Sequence, residues 1–187
     1  VELGDFYAQV VDEVQGKKNA FKWYQRAAKL GNIEGQRKLA ECYRDGKGVE
    51  KNLEEAFKWY TKLSQQGDEI GSVEHALALL RGRGTAANPL DGMKALKQLE
   101  QKGSAEAAFR LAALYWNGWG GVPADEKESV RYCLRAAVRG HSTAKYVYHF
   151  SLLDEKYVPK DTRKSIQFLR GAAADGVVAA QSQLASY

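Results

Sequence analysis

Three histidines, two cysteines and one glycine-rich turn are the residues of this chain whose types invite chemistry. His75, His141 and His149 are side chains that ligate metals or act as general bases, but no pair stands at the i, i+4 spacing of an HExxH helix. Gly118-Trp119-Gly120-Gly121 has the glycine content of a phosphate cradle, yet it follows a helical pattern rather than a strand and precedes no lysine. No GxSxG elbow and no P-loop occurs, and Ser/His/Asp sets that can be drawn from any chain of 187 residues carry no weight. These residues predict no catalytic centre, no cofactor and no bound metal. The chain does not read as an enzyme.

The elements that hold these residues explain why they are so scattered. Gly31, Gly67, Gly103, Gly140 and Gly176 recur at intervals of 36, 36, 37 and 36 residues. A related segment precedes each, clearest in Ala20-Phe21-Lys22-Trp23-Tyr24 and Ala56-Phe57-Lys58-Trp59-Tyr60. A period of this length is the signature of a stacked repeat array. In the reference unit, 32–67, Leu39, Ala40 and Tyr43 recur at helical spacing and predict a first helix from Ile33 to Arg44. Gly46 and Gly48 permit a tight reversal. Asn52 is placed to cap a second helix from Leu53 to Gln65, which Gly67 ends. The remaining units follow by offset: 1–31 (partial), 68–103, 104–140, 141–176 and 177–187 (partial or capping), a single array over 1–187. The unit 68–103 is degenerate, with His75 and Leu79 at the positions of Leu39 and Tyr43, although Asn88 keeps the cap and Pro89 follows it. Asp161 keeps the cap of the last full unit, whose turn glycines are missing.

In this register His75 is a core position, His141 lies in a solvated turn, and His149 stands where helix packing calls for a small residue. Cys42 and Cys133 fall two units apart. At roughly 10 Å per stacked helix pair they lie about 20 Å from one another, beyond the ~7 Å between Cα atoms that a disulfide spans. Both read as small buried hydrophobes. Trp23-Tyr24 and Trp59-Tyr60 read as packing between repeats.

The pattern Leu39-Ala40-x-x-Tyr43-x-x-Gly46-x-Gly48-Val49-x-x-Asn52-x-x-x-Ala56-x-x-Trp59-Tyr60-x-x-Leu63-x-x-x-Gly67 resembles a Sel1-like repeat, a relative of the tetratricopeptide repeat. Ala40 departs from the consensus glycine, and the cysteine pair of one bacterial branch is missing. The resemblance implies an all-α fold, a right-handed superhelical solenoid of antiparallel helix pairs with about five repeats. It implies protein–protein interaction as the function: an adaptor, a scaffold in envelope or complex assembly, a helical accessory domain of an enzyme, or, in some bacterial members, an immunity protein against a secreted phospholipase effector of a type VI system.

In related arrays the first helix of each pair lines the concave side. In the reference unit that face carries Glu34, Arg37, Glu41, Arg44 and Asp45, all charged. The next three units place Ile70, Val73, Leu77, Leu80 and Arg81 there, then Glu106, Phe109, Ala113, Trp116 and Asn117, then Thr143, Tyr146, Phe150, Leu153 and Asp154. The face thus turns from charged to apolar and aromatic. Exposed apolar patches mark interaction sites and aromatics dominate binding hot spots. The partner-binding expectation therefore falls on Phe109, Trp116, Tyr146 and Phe150, with Val73, Leu77 and Leu80 beside them. Trp119, an aromatic between glycines on a loop, joins them, and Arg37, Glu41 and Arg44 form a charged cluster. Against this stands burial of the same side chains between neighbouring helices. For the charged cluster the favoured alternative is ordinary ion pairing along helix surfaces.

The hydrophobic share of 44% is ordinary for a folded chain, and the formal charge of +5 is spread among interspersed acids, with no dense basic run. A protein partner is expected, a secreted toxin or effector among the options, and nucleic acid is not. No stretch reaches the ~20 apolar residues of a membrane span. The chain opens on Val1 rather than Met, in keeping with a processed or trimmed product, so a periplasmic location after signal removal is favoured over a cytoplasmic one. The oligomeric state is not specified by these residues.

Overall fold

The computed structural model describes residues 2–3, 13–119 and 121–186. Among them run ten α-helices: α1 (Glu13–Lys29), α2 (Ile33–Asp45), α3 (Leu53–Gln65), α4 (Glu69–Arg81), α5 (Pro89–Gln101), α6 (Ala105–Asn117), α7 (Glu126–Val138), α8 (Ser142–Asp154), α9 (Thr162–Ala174) and α10 (Val178–Leu184). Residues 4–12 of the first, partial unit, where its leading helix is expected, lie outside the described residues, as does Gly120. The expected boundaries of the reference unit agree with α2 and α3 to within one residue.

From α2 to α9, each helix start is fixed by a side chain one residue before the helix that accepts a hydrogen bond from the third residue on, which satisfies a backbone N–H that the helix itself leaves open. Asn52 receives the Glu55 N–H at 3.0 Å, Asn88 that of Asp91 at 3.1 Å, and Asp161 that of Lys164 at 2.9 Å. The leading helices use Asn32, Asp68 and Ser104 in the same way. His141 takes this role for α8: its Nδ1 accepts the Ala144 N–H at 3.1 Å, and its Nε2 lies 3.0 Å from Glu106. This corrects the solvated-turn reading. Nδ1 must be the bare nitrogen to accept, so Nε2 carries the proton and donates to the carboxylate. The ring also stacks on Phe109, with centroids 4.2 Å apart.

The five periodic glycines all adopt positive φ, from +78° to +101°, and an added Cβ would meet nothing within 4 Å at any of them. They are there for the backbone turn alone. Gly84 differs. Its φ is +74°, and a Cβ would fall 1.9 Å from the carbonyl oxygen of Leu53 at the start of α3. This turn is pressed against the preceding repeat.

The chain divides into two compact units, Val1–Ala95 and Leu96–Tyr187. In the first, Ala20, Tyr24, Ala28, Leu39 and Cys42 join α1 to α2, and Ala40, Ala56, Tyr60 and Leu63 join α2 to α3. Tyr43 and Trp59 are partly buried against both clusters. Trp23 is half-buried and lies under Arg26, 5.8 Å from its ring, as Trp59 lies under Lys62 at 5.0 Å. These tryptophans are therefore packing residues with one cation-covered face. His75 is half-buried and stacked on Phe57, and burial lowers its pKa. In the second unit, Ala108, Ala112, Val130, Cys133, Ala136, Ala144, Tyr148 and Leu152 form the core of α6, α7 and α8, and Leu169, Ala172 and Ala180 close α9 on α10. Cys42 and Cys133 are free and buried.

His149 acquires an account from this packing. It occupies the place of Ala40, Ala76 and Ala112 in the other leading helices, and it is fully buried. Ser165 Oγ donates to the His149 carbonyl at 3.1 Å and sits 2.6 Å from the ring Nδ1. Gln183 Nε2 approaches the other ring nitrogen at 3.1 Å. One neutral tautomer satisfies both ring nitrogens, with Nδ1–H donating to Ser165 and Nε2 accepting from Gln183. The contact has the distance of a nucleophile–base pair. But the ring nitrogen facing the hydroxyl is the donor, and both side chains are sealed from solvent. It is a structural polar link from α8 to α9 and α10.

Candidate functional site

The second compact unit carries an open cleft of about 800 Å³, within the size range of ligand pockets. One wall is α6, which presents Phe109, Ala113 and Trp116. The floor is α7, with Ser129, Val130 and Cys133. The other wall is α8, with Val147, Phe150, Leu153 and Asp154, and the turn that follows adds Lys156 and Tyr157. The 3.6-residue periodicity accounts for the two walls: 109, 113 and 116 lie on one stripe of α6, and 147, 150 and 154 on one stripe of α8. Ser129 is held down by donating to the Ala112 carbonyl at 2.8 Å, so the floor is fixed to the α6 wall.

The lining is apolar but not sealed. Trp116 is 57% exposed and Phe150 44%, large values for side chains of this kind. Charge is confined to one rim. Glu126 Oε2, in the first turn of α7, accepts from Lys156 Nζ at 2.5 Å and from the Tyr157 hydroxyl at 2.7 Å. Lys156 and Tyr157 hold the Glu126 carboxyl below its ordinary value, and the same contacts raise Lys156. Asp154 stands on the same rim with no hydrogen bond or ion pair to another described residue. At the floor, burial pushes the Cys133 thiol up to about 12, which leaves it un-ionised and unreactive at neutral pH.

Of the residues expected at the binding face, Phe109, Trp116 and Phe150 are brought together here, with Ala113, Asn117, Leu153 and Asp154 from the same offsets. Tyr146 is not among them: it packs on the Leu169 and Ala180 cluster and meets Phe150 edge-on at 5.2 Å. Trp119 lies in its own turn, in an isolated bridge with Val122. Val73, Leu77 and Leu80 are corrections. All three are buried, Val73 and Leu80 to 1% exposure, so they belong to the core of the first unit rather than to a surface. The reason is that α4 carries apolar residues on every side, Ile70, Val73, Ala76, Leu77, Ala78, Leu79 and Leu80, so packing rather than register selects the buried face.

The charged cluster of the first unit forms internal ion pairs. Arg37 binds Asp68 at 2.5 Å and Glu34 at 2.6 Å; Arg44 binds Asp45 at 2.8 Å and Glu74 at 3.5 Å. Glu41 is half-buried beside them. Burial pushes the Asp68 carboxyl up, but the Arg37 guanidinium and the Gly71 N–H outweigh it and hold the group below 3.8. Sequence reasoning missed Glu126, Lys156 and Tyr157, which sit outside the leading helices. A search along the second helices and the following turns for a paired Glu and Lys would have reached them.

The repeat geometry coincides with a family model. The Sel1 repeat model matches residues 3–32, 33–68, 105–141 and 143–177, well over half of the chain. The chain belongs to the Sel1 repeat family. The stretch between 68 and 105, read above as degenerate, falls outside the matched repeats. Among solved structures, a Sel1 repeat protein from Oxalobacter formigenes is similar over 99% of this chain and 75% of its own, with a TM-score of 0.76 and 26% identity. A protective antigen present in uropathogenic Escherichia coli strains matches 99% of this chain over 40% of its own length, at TM-score 0.62 and 26% identity. An immunity protein from Pseudomonas aeruginosa matches 95% of this chain over 67% of its own, at TM-score 0.64 and 19% identity, a likeness of fold alone. No curated protein matches the chain. As a Sel1 repeat chain, it is a protein-interaction module. No helix among the described residues is long and apolar enough to cross a membrane, and none of their His, Cys, Asp and Glu side chains form a group of three or more that could hold a metal ion.

Proposed function

We propose that this Sel1 repeat chain binds a protein partner through the α6–α7–α8 cleft, which takes an apolar segment of that partner between Trp116 and Phe150. The observation that carries this reading is the pairing of two large exposed aromatics across an 800 Å³ apolar cleft whose floor is rigidly packed. A free chain gains nothing from keeping such side chains wet, whereas a partner that buries them gains the area of both. The cleft's one thiol is buried at the floor, and its charged groups lie on the rim, which leaves the apolar walls as the surface a partner meets.

Within this reading the role we favour is neutralisation of a secreted effector, with the chain acting from the periplasm. Its support is the shared fold with an immunity protein. Replacing Trp116 or Phe150 by Ala should weaken partner binding by about 2 kcal/mol or more with the helical content intact, measured by calorimetry against the partner recovered from the source cell. Equal affinity in both variants overturns the cleft assignment. If the recovered partner is toxic when expressed alone, co-expression of this chain should restore growth; unchanged toxicity overturns the neutralising role, and cell fractionation tests the compartment.

A further inference from the structure

We infer that the cleft is matched to a partner segment that presents a lysine or arginine among its apolar residues, with Asp154 as the acceptor of that cation. The inference rests on the protein-binding reading of the cleft and names the chemistry of the partner.

It starts from the C-terminal end of α8, which is built unlike its counterparts. α2 ends in Asp45, which is paired with Arg44 and Lys47 and followed by Gly46 at φ +74°. α4 ends in Arg81 and then Gly82 at φ +65°. α6 ends in Asn117, whose amide donates back to the Ala113 carbonyl, and then Gly118 at φ +65°. α8 ends in Asp154 followed by Glu155, the only non-glycine at positive φ among the described residues, at +57°. The open carbonyls at a helix C-terminus make it the negative pole, where cations are favoured and acids are not. Here two successive acids stand at that pole with no basic residue in the last turn. A side chain with a Cβ also occupies the left-handed conformation that glycine adopts more readily. Three features that each cost the free chain stability therefore coincide at one helix end, and that end borders the open cleft. Local strain and unpaired charge of this kind are retained at sites where a ligand uses them.

The surroundings say what the ligand brings. Lys156, the only cation among the residues lining the cleft, is already occupied by Glu126 at 2.5 Å and lies 5.0 Å from the Tyr157 ring centroid. Asp154 is left as the uncompensated charge of the cleft, so its lining carries a net negative charge. The exposed rings of Trp116 and Phe150 add the negative quadrupole that attracts an ammonium or guanidinium group. An apolar segment with one cation satisfies all of these at once, whereas an acidic segment would bring like charge onto Asp154.

The test is to pan a displayed library of random 12-residue peptides against the full chain and against Trp116→Ala and Asp154→Asn. The expected result has two parts. Peptides lost with Trp116→Ala are enriched in Lys or Arg next to Leu, Ile or Phe. Asp154→Asn weakens those peptides about tenfold, equal to about 1.4 kcal/mol, while its thermal midpoint is unchanged or raised. Trp116-dependent peptides with no basic enrichment, bound equally by Asp154→Asn, overturn this inference and leave the cleft as a binding site. A library in which no binder depends on Trp116 overturns the cleft reading itself.

Discussion

Single side chains explain most of what is irregular in this array. Gln36 is fully buried, and neither end of its amide has a hydrogen-bond partner among the described residues. An unpaired buried polar group costs about 1–3 kcal/mol, so Gln36→Met, which keeps the length and removes the amide, should raise stability by up to that amount in urea denaturation. A lower midpoint would mean that the amide is satisfied in solution. Glu155→Gly should also stabilise the fold, by about 1 kcal/mol, because it removes the left-handed strain and an acid from the negative helix pole together. Both histidine assignments were in principle open to sequence reasoning. His141 sits in the place of Asn32, Asp68 and Ser104, all good cap residues, and that alignment was the signal. His149 stands in a place otherwise held by alanine, and its partner is Ser165, a small hydroxyl one repeat after Ser129. Neither is visible from the histidine alone, because each role is defined by a neighbour from another helix.

At the scale of the element, the glycines divide into two kinds with different consequences. Gly67→Ala meets only the conformational cost of positive φ, about 1 kcal/mol, since its Cβ position is open. Gly84→Ala meets the same cost and drives a methyl group to within 1.9 Å of the Leu53 carbonyl oxygen. It should be the more damaging by a clear margin, seen as a larger drop in thermal midpoint, and equal drops would refute the close approach of turn and helix. The start of α4 is tied to α2 through Asp68, which caps Gly71 and binds Arg37. A carboxylate held below its ordinary value contributes stability that is present above that value and lost as pH falls through the folded one. Arg37→Gln should therefore lower stability at pH 7 by about 2 kcal/mol. The gap between variant and parent should then narrow as pH drops below 3.8, as followed by denaturation over a pH series. The boundaries of the reference unit and the caps Asn52, Asn88 and Asp161 were legible from sequence because they depend on local spacing. The buried face of α4 was not, because a helix that is apolar all round offers no preferred side until its neighbours are in place.

Over the whole molecule, the period carried the fold and the departures from it carried the site. The regular positions Leu39, Ala40, Tyr60 and Leu63 build core in the first unit, and their counterparts Leu111, Ala112 and Ala136 do so in the second. The cleft arises where α6 and α8 put Trp116 and Phe150 on faces that are charged in α2. Its rim escaped the sequence reading because Glu126 and Lys156 are thirty residues apart and meet only once the turn after α8 has folded against α7.

Cys42 lies in one compact unit and Cys133 in the other, each buried, with thiols pushed up to about 11 and about 12. The chain therefore carries its own pair of stopwatches. A thiol reagent should leave both untouched in the native protein and mark each one only when its surroundings open. Mass spectrometry of peptides from a timed labelling series would then read two opening rates from one sample. Equal rates would mean that the array comes apart as a single cooperative body. Unequal rates would show which half lets go first, and whether an occupant of the cleft above Cys133 slows only its own clock.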